Sequence, residues 1–458
     1  MHIATELKAF LGDSAVLDAD ALATRSAGYL RPDNLQAAAL ARPSNTSQVA
    51  ELLRWCHRHD VSVVTQGGLT GLVHGADAAA DQIILSLERM CAIEYIDTRQ
   101  RCVTVQAGVV LQTLQESLEE HHLMFPLDLG ARGSATVGGN AATNAGGNRV
   151  IRYGMMRDMV LGLEAVLADG TVISSMNNLL KNNAGYDLKQ LFIGSEGTLG
   201  VITRLVLRLR EAPGTRNMGL VALEDFDTVT RLLRFMDHRL AGTLSAFEAM
   251  WQDFYRLVTT APAQGWPPIS PNYPYYVLLE CQGADPELDS QRFNSALEDA
   301  FEAGLLADAA VSQSESDCQR FWALRDDVGQ TFHGGLPFVF DISLPITEME
   351  RYIDGLRASL AEAIGEHKLW VFGHLGDGNL HVIVQVPGDI SGSQRPQVET
   401  VVYEPLAAFR GSISAEHGIG LEKKPWLGIS RSDAEVALMR SLRQTLDPRG
   451  ILNPGKIF

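Results

Sequence analysis

Two histidines in one short segment open the case for chemistry. His374-Leu375-Gly376-Asp377-Gly378-Asn379-Leu380-His381 joins two expected strands, Leu369–Phe372 and Leu380–Val386. A Gly-Asp-Gly turn folds the chain back so that both imidazoles can face one point. Taken alone, this spacing is a weak signal, and solvated or packed histidines account for it more readily. Further on comes Ser414-Ala415-Glu416-His417-Gly418. Two histidines and a carboxylate make a three-ligand set with open positions, the pattern of a catalytic zinc. Open positions suit the hydroxyl and carboxylate oxygens of a 2-hydroxy acid, whose hydroxyl pKa a metal lowers. His417 would then stand ready to accept the hydroxyl proton.

Three glycine-rich segments precede this set. Gln66-Gly67-Gly68-Leu69-Thr70-Gly71 follows an expected strand. Successive glycines allow backbone N–H groups to converge on a pyrophosphate, although a plain tight turn reads the same way. The segment is not GxGxxG, and no acidic residue follows a second strand suitably, which disfavours a nicotinamide-binding Rossmann domain. The run Ser134–Asn148 is denser, and its small residues permit close approach to a large flat ligand, with Ser, Thr and Asn as hydrogen-bonding groups. Gly194-Ser195-Glu196-Gly197-Thr198-Leu199-Gly200 is the third. Together they suggest one extended cofactor.

The elements that must position these residues alternate between strand and helix, which predicts an α+β or α/β first domain. Strands are expected at Val61–Thr65, Ile83–Leu87, Val103–Gln106, Val160–Ala168, Thr171–Ser174 and Val201–Leu209. Ser44 or Asn45 can cap a helix carrying Val49, Leu52, Leu53 and Cys56 on one face, and Leu111, Leu114 and Leu118 mark another. Pro213-Gly214 is the clearest break. Beyond it, strands are expected at Tyr275–Cys281 and Pro337–Ile342, and helices at 287–304, 317–331, 347–364 and 433–446. Ser432 and Glu435 form a capping-box pattern for the last helix. The expected division is a helical lead-in over 1–40, a first domain over 41–213 and a second over 214–458 that carries the histidines and a C-terminal helical segment.

The chain has 458 residues and a net charge of −17, which disfavours nucleic acid or an anionic membrane as partner. Its five scattered cysteines, without a CxxC pair, fit a reducing compartment. The N-terminus shows no signal-peptide pattern and no stretch reaches spanning length, so a soluble cytoplasmic protein is expected.

The motifs together resemble the vanillyl-alcohol-oxidase-type flavoproteins, and within them the D-2-hydroxyglutarate and D-lactate dehydrogenase group. The resemblance runs over nearly the whole chain. Its most specific pieces are Phe125–Gly130, Gly138–Gly147, Lys181–Leu188, Phe192–Gly200, His374–His381, Ser414–Gly420 and Leu452–Gly455. It implies an FAD-binding domain of that type (the PCMH-type fold) and a ferredoxin-like cap domain with C-terminal helices. Noncovalent FAD would be held by Gln66, Gly67, Gly68, Leu69, Thr70, Gly71 and Leu72, and by Pro126, Leu129 and Gly130. It would also be held by Thr136, Gly138, Gly139, Asn140, Thr143, Asn144, Gly146 and Gly147, and by Gly197, Gly200, Val201, Ile202 and Asn453. His374, His381 and Glu416 match the ligands of a divalent metal, taken as zinc. His417 matches the proton acceptor and Arg325 a carboxylate anchor, for which its bidentate fork is suited. Read without the resemblance, Arg325 is a surface helix charge. The substrate C2 hydrogen would pass as hydride to the flavin. Electrons would go on to an electron transfer flavoprotein, a cytochrome or a quinone, and a homodimer is compatible with the family.

Departures from the family pattern bear on the substrate. Leu69 stands where covalently flavinylated relatives carry His, which favours noncovalent FAD; His74 stands at a usual Gly. Gly329, Val339 and Ile383 replace the Thr, Lys and Asn of the hydroxyglutarate branch and predict a more apolar pocket. The competing readings are a flavin oxidase that reduces oxygen, a non-catalytic flavin-binding subunit, and a zinc hydrolase. The last leaves the glycine-rich half without purpose.

Overall fold

The helix Thr46–His59 shows how local signals set the first unit. Asn45 caps it, its side chain accepting from Gln48 N at 3.0 Å, and Val49, Leu52, Leu53 and Cys56 are buried along one face. The computed structural model describes residues 3–28, 31, 33–263, 265–389 and 392–458. These divide into two compact units, one of residues 1–146, 154–212 and 416–458, the other of residues 147–153 and 213–415.

The first unit contains two main sheets. One is four-stranded, in the order Val16–Asp18, Ala39–Ala41, Ile83–Ser86, Val63–Gln66, and parallel along its last three strands. The lead-in is therefore more than helical, since Val16–Asp18 pairs with Ala39–Ala41. The other sheet is antiparallel, in the order Ile93–Asp97, Cys102–Gln106, Val201–Arg208, Val160–Val166, Val172–Ser175. The segment 416–458, read from the sequence with the second domain, groups with this unit. Its tail adds to the first sheet: Val63 N donates to Ile451 O and Asn453 N to Val63 O, both at 2.8 Å. Its helix Asp433–Leu446 begins with the expected Ser432–Glu435 capping box.

The second unit is one seven-stranded antiparallel sheet with helices packed on it. Its order is Asp308–Val311, Thr215–Leu223, Tyr275–Gly283, Leu244–Trp251, Lys368–His374, Asn379–Gln385, Phe338–Ser343. One face carries an apolar cluster that includes Met250, Tyr276, Leu278, Trp370, Phe372 and Ile383, covered by Phe321 and Trp322 of the helix Glu315–Asp326. The architecture is α+β, as expected.

A buried ion pair ties residues 147–153 to this sheet. Glu280 is fully buried and receives Arg149 Nε at 2.8 Å, Ser245 Oγ at 2.7 Å and Trp322 Nε1 at 2.9 Å. Burial opposes ionisation of Glu280, but Arg149 more than reverses this and holds the carboxyl at about 2, against an ordinary 4.5. The folded value is the lower one. Its stabilisation, about 3 kcal/mol, is therefore complete above the ordinary value and lost as pH falls towards 2. Glu280→Ala is expected to remove the buried carboxylate on which Arg149, Ser245 and Trp322 converge and to cost about 3–5 kcal/mol. Urea unfolding at neutral pH checks this, and a loss below 1 kcal/mol would place the pair among weak surface bridges.

Candidate active site

In the first unit, the glycine-rich loops are packed backbone to backbone. A Cβ at Gly67 would stand 2.5 Å from Thr136 Oγ1, and one at Gly68 would collide with the Ser134 carbonyl. Only glycine lets the 66–71 loop lie against the start of the second run. Gly138 meets Ala107 in the same way, and Gly200 meets Phe192. Leu69 takes a left-handed conformation at φ 57°, and Gly71 and Gly130 have open space where a side chain would go. Leu72, Thr70 and Leu129 are half-buried, while Pro126, Val201 and Ile202 are buried.

Several polar residues assigned to the cofactor are occupied within the protein. Gln66 Nε2 donates to Ala76 O at 2.8 Å. Thr136 caps the helix Val137–Thr143 by accepting from Gly139 N, and Thr143 Oγ1 donates back to Gly139 O at 3.1 Å. Asn144 Oδ1 accepts from Arg157 N at 2.9 Å. Asn453 accepts from Thr65 N at 2.8 Å and donates to Glu196 O at 2.6 Å, so its amide is a strut between loops. Asn140 differs. It is buried, and among the described residues its Nδ2 has no acceptor. A buried donor without an acceptor, beside loops from which side chains are excluded, fits a phosphate-bearing flavin nucleotide.

Sequence reasoning missed Glu196. Its carboxylate accepts from Ile419 N at 2.7 Å and Gly420 N at 2.8 Å, and its own N–H donates to Ala142 O. Burial raises its pKa, partly countered by the two backbone N–H groups and Lys423. It holds the Glu416–Gly420 segment by its backbone, and a Cβ at Gly418 would stand 2.8 Å from it. Gly146 leaves room for Glu416 itself, whose Oε1 would meet a Cβ there at 2.5 Å. His74 is engaged by Asp77, with Nδ1 3.0 Å from Oδ2.

In the second unit, the expected turn forms between His374 and His381. Residues 375–377 make one 3-10 turn, Gly378 is left-handed at φ 87°, and a Cβ at Gly376 would meet Ile151 at 2.6 Å. The antiparallel register pairs His381 with Phe372 and Asp341. His374, two residues beyond Phe372, therefore shares their face. The two imidazole Nε2 atoms are 3.3 Å apart. Two nitrogens bound tetrahedrally to one zinc at 2.0–2.1 Å lie about 3.3 Å apart, so the pair fits a shared cation. Asp341 Oδ1 lies 3.9 Å from His381 Nδ1, and Asp341 Oδ2 accepts from Ala415 N at 3.1 Å.

Arg325 is no surface charge. It is buried, its Nε donates to Glu248 Oε2 at 2.8 Å, and its Nη2 lies 3.4 Å from His374 Nε2. Glu248 Oε1 is 2.7 Å from His374 Nδ1. Complete burial pushes the Glu248 carboxyl up, but His374 and Arg325 outweigh this and hold it below its ordinary value. Of the three positions expected to shape the substrate pocket, Ile383 is fully buried in the apolar cluster. Val339 pairs with it across the strands and packs on the same cluster. Gly329 lies in the turn Val328–Phe332 with space around its Cα.

Residues 37–175 match the family model described as FAD binding domain, and residues 212–457 match that described as FAD linked oxidases, C-terminal domain. The chain belongs to the FAD-linked oxidases. A D-2-hydroxyglutarate dehydrogenase, mitochondrial, of Bos taurus is 41% identical over 97% of this chain and 81% of its own. A D-2-hydroxyglutarate dehydrogenase of Xanthomonas citri pv. viticola is 39% identical over 92% of this chain and 89% of its own. Among solved structures, p-cresol methylhydroxylase superposes with a TM-score of 0.77 at 16% identity, covering 99% of this chain and 96% of the other. That likeness bears on fold and supports the PCMH-type assignment. This FAD-linked oxidase is therefore an FAD-dependent oxidoreductase. The cytoplasmic location expected from the sequence does not stand. The Bos taurus relative is mitochondrial, as are those of Danio rerio and Rattus norvegicus. No helix among the described residues is long and apolar enough to cross a membrane.

Proposed function

We propose that the enzyme oxidises a D-2-hydroxy acid to the 2-oxo acid. The observation that carries this is the buried cluster of His374, His381 and Arg325, two facing imidazoles beside a guanidinium. Arg325 binds the α-carboxylate. His417 takes the hydroxyl proton. FAD would be held by the 66–71 and 134–147 loops, where the buried Asn140 Nδ2 is available as a donor, and when bound it would supply the sink for the C2 hydride. A divalent metal, which we take to be zinc, would be held by His374, His381 and Glu416 and would supply Lewis acidity to the substrate hydroxyl. Covalent continuity supports Glu416 as the third ligand, because it follows Ala415, which is bonded to Asp341, the cross-strand neighbour of His381. Asn379, on the same strand face as His381, is buried with neither side-chain polar atom partnered among the described residues, which favours a polar ligand nearby.

The acceptor in this reading is an electron transfer flavoprotein, a cytochrome or a quinone. Anaerobic addition of D-2-hydroxy acids is expected to bleach the flavin absorbance, while the L-enantiomers leave it unchanged. Turnover with an artificial acceptor should far exceed turnover with oxygen. A flavin that no D-2-hydroxy acid reduces would overturn the substrate class, and stoichiometric peroxide at the full rate would overturn the acceptor.

A further inference from the structure

Glu248 lies in Leu244–Trp251, a strand whose eight residues are all buried. A carboxylate in such a place costs several kcal/mol unless it is fully paired. Both of its oxygens are used, one on His374 and the other on Arg325. We propose that Glu248 is a positioning residue that sets both halves of the hydroxy-acid site, the metal-facing tautomer of His374 and the plane of the Arg325 guanidinium. The inference rests on the function proposed above and adds to it a residue that touches neither substrate nor cofactor.

The argument for His374 is one of donors and acceptors. An ionised carboxylate only accepts, so the 2.7 Å contact requires the proton of His374 on Nδ1. On a neutral imidazole Nε2 then keeps its lone pair, and it is Nε2 that faces His381 at 3.3 Å. With the other tautomer, an N–H would point into the space a cation needs. A carboxylate behind a ligating imidazole fixes ring and tautomer and raises its basicity. For Arg325, the bond from Nε at 2.8 Å fixes one edge of a rigid planar fork, so the rest of the guanidinium is aimed as a body. The sheet supplies the precision, because Glu248 and His374 are direct cross-strand partners.

Glu248→Gln tests this, because an amide offers one oxygen and one NH2 where two acceptors are needed. The readouts are zinc affinity of the flavin-loaded enzyme by chelator competition, and the separate effects on KM and kcat. We expect zinc binding weakened about 10- to 100-fold, KM raised, flavin content unchanged, and Glu248→Asp recovering part of both losses. Wild-type zinc affinity together with wild-type KM in Glu248→Gln would overturn the role of Glu248 and leave the proposed function intact. A wild-type enzyme that takes up no zinc would overturn the metal reading and this inference with it. Should Glu248→Gln fail to accumulate as folded enzyme, Glu248→Asp alone decides. Its carboxylate is one methylene too short to reach both partners, and unchanged zinc affinity and KM in it would equally overturn the proposal.

Discussion

Glu416→Gln is expected to reduce turnover on the order of 10³-fold, because a Lewis acid contributes several kcal/mol to such a transition state. The substitution keeps the shape of the side chain, which matters where Gly146 has been kept small beside it. It removes the negative charge that, in the proposed site, would join the two imidazoles in holding a divalent cation. Flavin should stay bound at full stoichiometry, since Gln fills the same volume beside Gly146 of the 134–147 loop. Glu196 holds the 416–420 segment through backbone N–H groups that the substitution leaves in place. Treatment with a strong chelator should mimic the variant, and zinc should restore the wild type only. Equal rates for wild type, variant and chelated enzyme would rule out a metal role.

The parts of this site that were legible in the sequence are those whose logic is local. His374 and His381 are joined by a turn whose glycines announce themselves, and the strand period then fixes a common face. Ser432 and Glu435, or Asn45 ahead of its helix, are likewise decided within a few residues. Glu248 was invisible because its partners lie at positions 325 and 374 and its strand offers no alternation to read. Leu-Ser-Ala-Phe-Glu-Ala-Met-Trp is buried on both faces and built largely of helix-favouring residues. Thr215–Leu223 escaped because its last six residues are all buried and likewise offer no alternation. The glycine-rich loops were legible as loops but not in their division of labour. Asn144 and Asn453 read as ligand contacts and also brace neighbouring backbone, because a side-chain amide serves backbone and cofactor equally well. Nor does composition place 416–458 with the first unit. Pairing of Leu452 beside Val63 does so, over a separation no local pattern encodes.

A D-2-hydroxy acid with an apolar or uncharged side chain is expected to be oxidised at least about 10-fold more efficiently, by kcat/KM, than D-2-hydroxyglutarate. The Bos taurus and Xanthomonas citri relatives are named for a dicarboxylate, whereas the expectation for this chain rests on Ile383, Val339 and Gly329. A second carboxylate brought into a closed site needs a paired charge or several donors, otherwise its desolvation costs several kcal/mol. Ile383 offers a branched alkyl group in a fully buried position, with Trp370 beside it on one neighbouring strand and Val339 on the other. None of Ile383, Val339 or Gly329 has a side-chain donor, and Gly329 adds room. Arg325 is bonded to Glu248 and placed next to His374, which suits the α-carboxylate and not a distant one. A side-by-side comparison of D-lactate, D-2-hydroxyisocaproate, D-mandelate, D-malate and D-2-hydroxyglutarate under one acceptor decides the matter. Val339→Lys should shift the ratio towards the dicarboxylates by supplying the missing charge. If the wild-type enzyme already prefers D-malate or D-2-hydroxyglutarate, positions 329, 339 and 383 do not line the side-chain end of the pocket, and a basic residue from elsewhere in the fold does.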